Sequence, residues 1–202
     1  ALNDLTTANN NTAVGYLAGD GITVGLANTA IGSYALSAPN PAGSNTAIGY
    51  ASLIACTGQH NTAVGAGAMY TAVDIDDCIA IGKDALNVAN TDTADGTVAI
   101  GRGAGQSYVP ADAVAATGGT TLIGYNAGND AGNTAHGLTT GIQNTAVGHE
   151  SLGANAGAAL TGDANTVMGY RAGYVMSGGA GHNTLMGASA GAAITTGDYN
   201  TA

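Results

Sequence analysis

The sequence predicts an all-β fold, a repeat β-solenoid or parallel β-roll of about seventeen residues per coil, and three observations predict it. A five-residue core, N-T-A-(V/I)-G, returns in ten exact or drifted copies along the 202 residues. Its Thr and Val/Ile positions are β-branched in nearly every copy, which favours extended backbone over helix. The composition, with 34 Gly, no Phe or Trp and 8% charged residues, suits thin and closely approaching layers better than a globular core of large side chains.

The core begins as Asn11-Thr12-Ala13-Val14-Gly15 and repeats as Asn28-Thr29-Ala30-Ile31-Gly32, Asn45-Thr46-Ala47-Ile48-Gly49 and Asn61-Thr62-Ala63-Val64-Gly65. It drifts through Cys78-Ile79-Ala80-Ile81-Gly82, Thr97-Val98-Ala99-Ile100-Gly101 and Thr120-Thr121-Leu122-Ile123-Gly124, and is restored at Asn144-Thr145-Ala146-Val147-Gly148. Two methionine forms follow, Asn165-Thr166-Val167-Met168-Gly169 and Asn183-Thr184-Leu185-Met186-Gly187. Successive motif glycines stand 17, 17, 16, 17, 19, 23, 24, 21 and 18 residues apart. The extra residues fall between one motif and the next, so longer loops are expected within 83–164 while the stacked part stays constant. Residues 1–202 read as a single repetitive segment. Asn200-Thr201-Ala202 opens a further copy and Ala1-Leu2 matches the tail of one, so both ends are expected to cut a repeat, as in a window on a longer fibrous chain.

In an extended N-T-A-V-G, Thr and Val point to one side and Asn, Ala and Gly to the other. The expectation is that Thr and Val/Ile face inward and that the small Ala/Gly side meets another backbone. A small residue recurs three places after the motif glycine (Ala18, Ala35, Ser52, Ala68, Ala85), followed by Leu, Met or Gly. This pattern is read as a second short strand on the return path. Such a coil is thin, and its apolar burial barely offsets the ordering entropy of about 1 to 2 kcal/mol per residue. Three chains packed through their Ala/Gly faces would supply the missing burial. Stacked Asn residues and the neighbouring Thr column are expected to form ladders between coils, and ten coils would make a rod section on the order of 50 Å long.

With these residues in view, N-T-A-(V/I)-G followed by Y-x-A-(L/G) resembles the head repeat of YadA-like trimeric autotransporter adhesins. Their S-x-A-I-G units form a left-handed parallel β-roll with three rolls per trimer. The wording is closer still to repeats of phage tail fibre proteins, which often end in an intramolecular chaperone domain of the endosialidase type. The period here is longer than the adhesin repeat. The resemblance implies a homotrimeric fibre and a host-surface glycan or protein receptor.

Composition excludes other classes. A net charge of -10, with Lys83, Arg102 and Arg171 the only basic residues, excludes the clustered cations that nucleic acids and anionic membrane surfaces require. No apolar run reaches the length of a membrane span, and no leader peptide is visible. Cys56 and Cys78 lack disulfide-framework or metal spacing and read as buried small hydrophobes. Gly101-Arg102-Gly103-Ala104-Gly105 lacks the lysine and following helix of a phosphate loop. Asp74-Ile75-Asp76-Asp77 could offer oxygens to Ca²⁺ but reads as a solvated acidic loop. His60 and His182 precede the motif Asn and His149 follows a motif Gly, with no metal-binding spacing. His136, in a degenerate copy too close to its neighbours for a full coil, is assigned to an inserted loop. Nothing brings Ser, His and Asp together as a triad. No catalytic, cofactor or metal residue is therefore assigned, and no cofactor.

Tyr16, Tyr50, Tyr125 and Tyr170 each directly follow a motif glycine and should align along the rod, either to bind glycans or to shield an edge or pack against an adjoining chain. The expected function is a structural fibre or shaft segment, extracellular or at a cell surface, most closely a virion tail fibre with a role in surface attachment. It is not expected to be an enzyme. The alternatives are an adhesin head, a secreted filament and, more remotely, an ice-binding solenoid. The ice-binding reading needs Thr12, Thr29, Thr46 and Thr62 exposed; burial would remove it.

Overall fold

A computed structural model describes the chain except residues 1, 3–5, 39–40, 90–93, 109–118, 130–137, 139, 154–159 and 193. The ten motif copies form ten three-residue strands: β1 (Thr12–Val14), β2 (Thr29–Ile31), β3 (Thr46–Ile48), β4 (Thr62–Val64), β5 (Ile79–Ile81), β6 (Val98–Ile100), β7 (Thr121–Ile123), β8 (Thr145–Val147), β9 (Thr166–Met168) and β10 (Thr184–Met186). They build one parallel sheet in strict sequence order, β1 to β10. Pairing is in motif register throughout, Thr12 on Thr29 on Thr46 and Ala13 on Ala30 on Ala47, so each motif position becomes a column along the solenoid. The register survives the insertions, since Ile100 still pairs with Ile123 and Val147 with Met168. The chain is thus an all-β repeat solenoid whose variable lengths fall outside the strands.

Two expectations are corrected. The first is the side of the strand that faces inward. The central residues Ala30, Ala47, Ala63, Ala80, Ala99, Leu122, Ala146, Val167 and Leu185 are buried, whereas Val14, Ile31, Ile48, Ile81, Met168 and Met186 are exposed and the Thr positions are exposed or half-buried. Thr and Val/Ile therefore face outward, and the alanines expected to meet another chain line the interior. The reason is space. The residue three places after the motif glycine (Ala35, Ser52, Ala68, Ala85) and the next side chain (Leu36, Leu53, Met69, Leu86) are also fully buried, and opposite them there is room for little more than a methyl group.

The second correction concerns the return path, which holds turns where a second strand was expected. Its positive-φ residues explain this. The second residue after the motif glycine is left-handed at Leu17, Tyr34, Ala51, Asp84, Asn126, Glu150 and Arg171, and the fourth at Leu36, Leu53, Met69, Leu86 and Leu152. Alternating left- and right-handed residues turn the chain sharply and do not propagate a strand. The motif glycines themselves lie near φ +130°, outside the range of L side chains, and a Cβ built at Gly82 would stand 2.5 Å from the Gly101 carbonyl oxygen. Gly at the corner lets successive coils touch backbone to backbone.

Interior volume is conserved from coil to coil by compensation. Where the fourth position carries Leu or Met, the strand centre is Ala, as in Leu53 with Ala47 and Met69 with Ala63. Where that position is Gly, the space is taken from elsewhere: Leu122 fills it at Gly128, Val167 and Met176 at Gly173, Leu185 at Gly191. Tyr108 enters the core below Gly105, its hydroxyl 3.0 Å from Thr120 Oγ1 and its pKa pushed up to about 12 by burial.

The expected asparagine ladder is present. Asn28 N–H donates to Asn11 Oδ1 at 2.8 Å, Asn45 N–H to Asn28 Oδ1 and Asn61 N–H to Asn45 Oδ1 at 2.9 Å each, and the series resumes from Asn144 through Asn165 and Asn183 to Asn200. Amide nitrogens donate to loop carbonyls of the next coil, Asn45 to Gly58 at 2.8 Å and Asn165 to Ala180 at 2.9 Å, although that of Asn28 is buried without a partner among the described residues. Each side chain thereby satisfies buried backbone groups of the adjoining coil that would otherwise cost about 1–3 kcal/mol apiece. In the drifted copies Cys78 and Thr120 substitute, Cys78 Sγ lying 3.1 Å from the Ala94 carbonyl and Thr120 Oγ1 accepting from Asn144 N–H at 3.4 Å.

Candidate functional site

Three surface features arise from this geometry. The broadest is the outward face of the sheet. In-register pairing arrays Thr12, Thr29, Thr46, Thr62, Ile79, Val98, Thr121, Thr145, Thr166 and Thr184 in one column and Val14, Ile31, Ile48, Val64, Ile81, Ile100, Ile123, Val147, Met168 and Met186 in the other. Neighbouring members are one strand spacing apart, about 4.8 Å, so the two columns run for about 45 Å. None of the strand residues is charged, although the chain carries -10 overall. It is a long, narrow, uncharged strip whose apolar members remain partly in water, Val14 at 58% and Met186 at 65% exposure.

Beside this strip runs the column after the motif glycine. Tyr16, Tyr50, Tyr125 and Tyr170 align as the sequence implies, in two stacks that include residues outside that reading. Tyr34, one place further along its coil, bridges Tyr16 and Tyr50 edge-on at 5.4 and 6.2 Å between ring centroids. His149 stacks between Tyr125, at 4.9 Å, and Tyr170, at 5.4 Å, while Arg102 covers the other side of Tyr125. Arg171 lies over Tyr170 and Tyr174 and donates from Nε to the buried Glu150 carboxylate at 2.6 Å, which raises its already high pKa. In the second stack the ring faces are spent on neighbouring coils. Those rings support one another along the rod, in keeping with edge shielding over glycan binding.

The third feature is a groove where Ala66 interrupts the tyrosine column, lined by Tyr50, Ala51, Ala66, Gly67, Tyr70, Lys83, Asp84 and Asn87, with a volume of about 320 Å³. Tyr70 and Asn87 occupy the fifth position after their motif glycines. That register also holds Tyr174, and recurrence at a fixed offset from glycine was the available sequence signal.

The remaining sequence candidates are structural or scattered. Among the described residues no three His, Cys, Asp or Glu side chains gather around a possible metal position. The Asp76 carboxylate accepts the Gln59 backbone N–H at 2.7 Å, Asp95 accepts that of Asp76 at 2.7 Å, and Asp77 lies 3.4 Å from His60 Nδ1, so the acidic loop links adjoining coils. His182 stacks on Tyr199 at 4.9 Å. Gly101, Gly103 and Gly105 are the corner and left-handed positions of one coil, at φ of 131°, 68° and 57°. Cys56 and Cys78 are free and buried, and burial pushes both thiols up to about 12. His136 lies outside the described residues. No known family, curated protein or solved structure matches the chain.

Proposed function

We propose that the chain is a segment of an extracellular fibre, assembled as a homotrimer through the Thr and Val/Ile face, and that it serves extension and surface attachment as in a virion tail fibre. One observation carries this reading: the uncharged, partly apolar strip that runs the length of the sheet on a solenoid too thin to bury it. The trimer contact proposed from sequence therefore moves from the alanine side, which is filled by the chain's own core, to the opposite side of each strand. Each half-exposed Val, Ile or Met stands to gain about 1 kcal/mol on burial, half of the transfer value for a whole side chain, and the gain recurs in every coil. Parallel in-register columns also suit a rotationally symmetric contact, in which identical layers meet at one height. The adhesin-head and secreted-filament readings share this assembly and differ only in context.

Sedimentation equilibrium tests the proposal. The expected mass is three times the 19.3 kDa chain. Ile48→Asp with Ile81→Asp, both outward and therefore compatible with the coil, should convert it to a folded monomer. A monomeric parent protein refutes the assembly.

A second reading is kept by a specific observation. Thr12 is exposed and Thr29, Thr46 and Thr62 are half-buried in a straight column, so the burial that would remove ice binding is not found. Against it, the Thr column is broken by Ile79 and Val98. Thermal hysteresis of a monomeric preparation would support ice binding, and its absence would remove it.

A further inference from the structure

The groove at Ala66 carries an inference of its own: we propose that it is a binding site for one neutral hexopyranose ring. The inference deepens the attachment role and rests on that reading, but it needs neither the trimer nor the strip.

The site exists because two side chains are missing from one coil. In the column after the motif glycine, Ala66 stands where Tyr50 and Tyr170 carry rings; in the next column, Gly67 stands where Arg171 carries a long side chain, and the Asp84 carboxylate leans over it, Oδ1 2.6 Å from where a Cβ would stand. Coil stacking continues around the gap, so a hollow opens between the preceding and following coils. Its floor is Ala51, Ala66 and Gly67, and two aromatic side chains border it, Tyr50 at 61% and Tyr70 at 41% exposure. Tyr50 meets Tyr34 edge-on on its far side, and Ala66 presents no ring to its near side. This differs from Tyr125, which is covered by Arg102 and His149. The tyrosine here keeps an open apolar surface beside a phenol hydroxyl, the combination that takes the C–H face and the hydroxyls of a sugar together.

Size and charge narrow the ligand. A volume of about 320 Å³ is at the lower end of small-molecule sites, roughly 300–1,000 Å³, and suits one ring. The polar wall holds Lys83 Nζ 3.4 Å from Asp84 Oδ2, a pair that cancels in net charge while offering donors and an acceptor to hydroxyl groups. Asn87 Nδ2 already donates to the Gly67 carbonyl at 2.9 Å, which orients the side chain and leaves its Oδ1 as a further acceptor. A locally neutral groove on a chain of charge -10 disfavours an acidic sugar, whose carboxylate would meet the surrounding negative field without a free cation to pair with. The complementary ligand is uncharged and rich in hydroxyls.

Saturation-transfer NMR with the methyl glycosides of glucose, galactose and mannose, and with sialic acid as the anionic control, tests the site. The expected result is transfer to at least one neutral glycoside, at millimolar affinity, and none to sialic acid. Ala66→Tyr restores the aromatic column with a residue that other coils carry at this position, so it should leave the fold intact and abolish the signal; Tyr70→Ala should weaken binding at least tenfold. Failure of all three neutral glycosides, stronger transfer to sialic acid, or undiminished binding in folded A66Y overturns the proposal. Sedimentation of the same preparation tests the fibre separately, because a trimer that binds no sugar refutes the groove alone.

Discussion

Exchange of volume between the strand centre and the return path gives a double substitution with a definite sign. Leu122 is fully buried, and its Cδ2 and Cδ1 lie 2.8 and 2.9 Å from where Gly128 would carry a Cβ. Leu122→Ala opens a cavity and should cost about 2–5 kcal/mol. Gly128→Leu drives a side chain into the same volume and should cost about 1–3 kcal/mol in overpacking, plus about 1–2 kcal/mol for a non-glycine residue at its φ of +69°. Together they recreate the arrangement of Ala47 with Leu53, where leucine already tolerates φ of 49°. The double variant should therefore retain little more than the backbone strain, with a favourable coupling of at least about 3 kcal/mol. Guanidinium unfolding followed by circular dichroism, on the parent, both single variants and the double, measures it. Additivity within about 0.5 kcal/mol would show that the two positions do not share one space, and the compensation argument would fail.

The corner glycines should differ by position: Gly82→Ala pushes a Cβ to 2.5 Å from the Gly101 carbonyl oxygen and should force adjoining coils apart, whereas Gly187→Ala meets nothing within 4 Å and should lose only the conformational term, about 1–3 kcal/mol at its φ of +133°. Comparing the two melting temperatures checks this, and equal losses would contradict it. For Cys56 and Cys78, burial lifts the thiol from 9.0 to about 12, so the folded state favours the protonated form. Their stabilising contribution is complete below pH 9 and is lost as pH rises towards 12. Both thiols should stay unreactive to a disulfide reagent at pH 8 until denaturant is added; rapid labelling of the native protein would place them in water.

Much of the architecture was legible because a repeat states its rule many times. The ten strands and their register follow from β-branched positions at a constant offset from glycine, whereas most of the residues inserted within 83–164 lie outside the described residues. The asparagine ladder follows from a polar residue standing beside each strand. The tyrosine column was legible for the same reason, whereas the Ala66 groove was not, since its signal is a side chain absent from one copy. Tyr34 and Arg171 lie at turn positions whose left-handed backbone no strand pattern reveals.

Sequence alone thus determined the partition of each strand into two faces, one with Thr and Val/Ile and one with Ala. Only the tertiary structure decided which face is inside. A period of two is unchanged when inside and outside are exchanged, so hydrophobicity favoured burying the larger residues. The width of the coil reversed that preference. Left-handed turns bring Ala35 and Leu36, and their equivalents in other coils, close under the sheet, where a methyl fits and an isoleucine does not. The Val and Ile columns are thereby left outward, on the surface the proposed assembly uses.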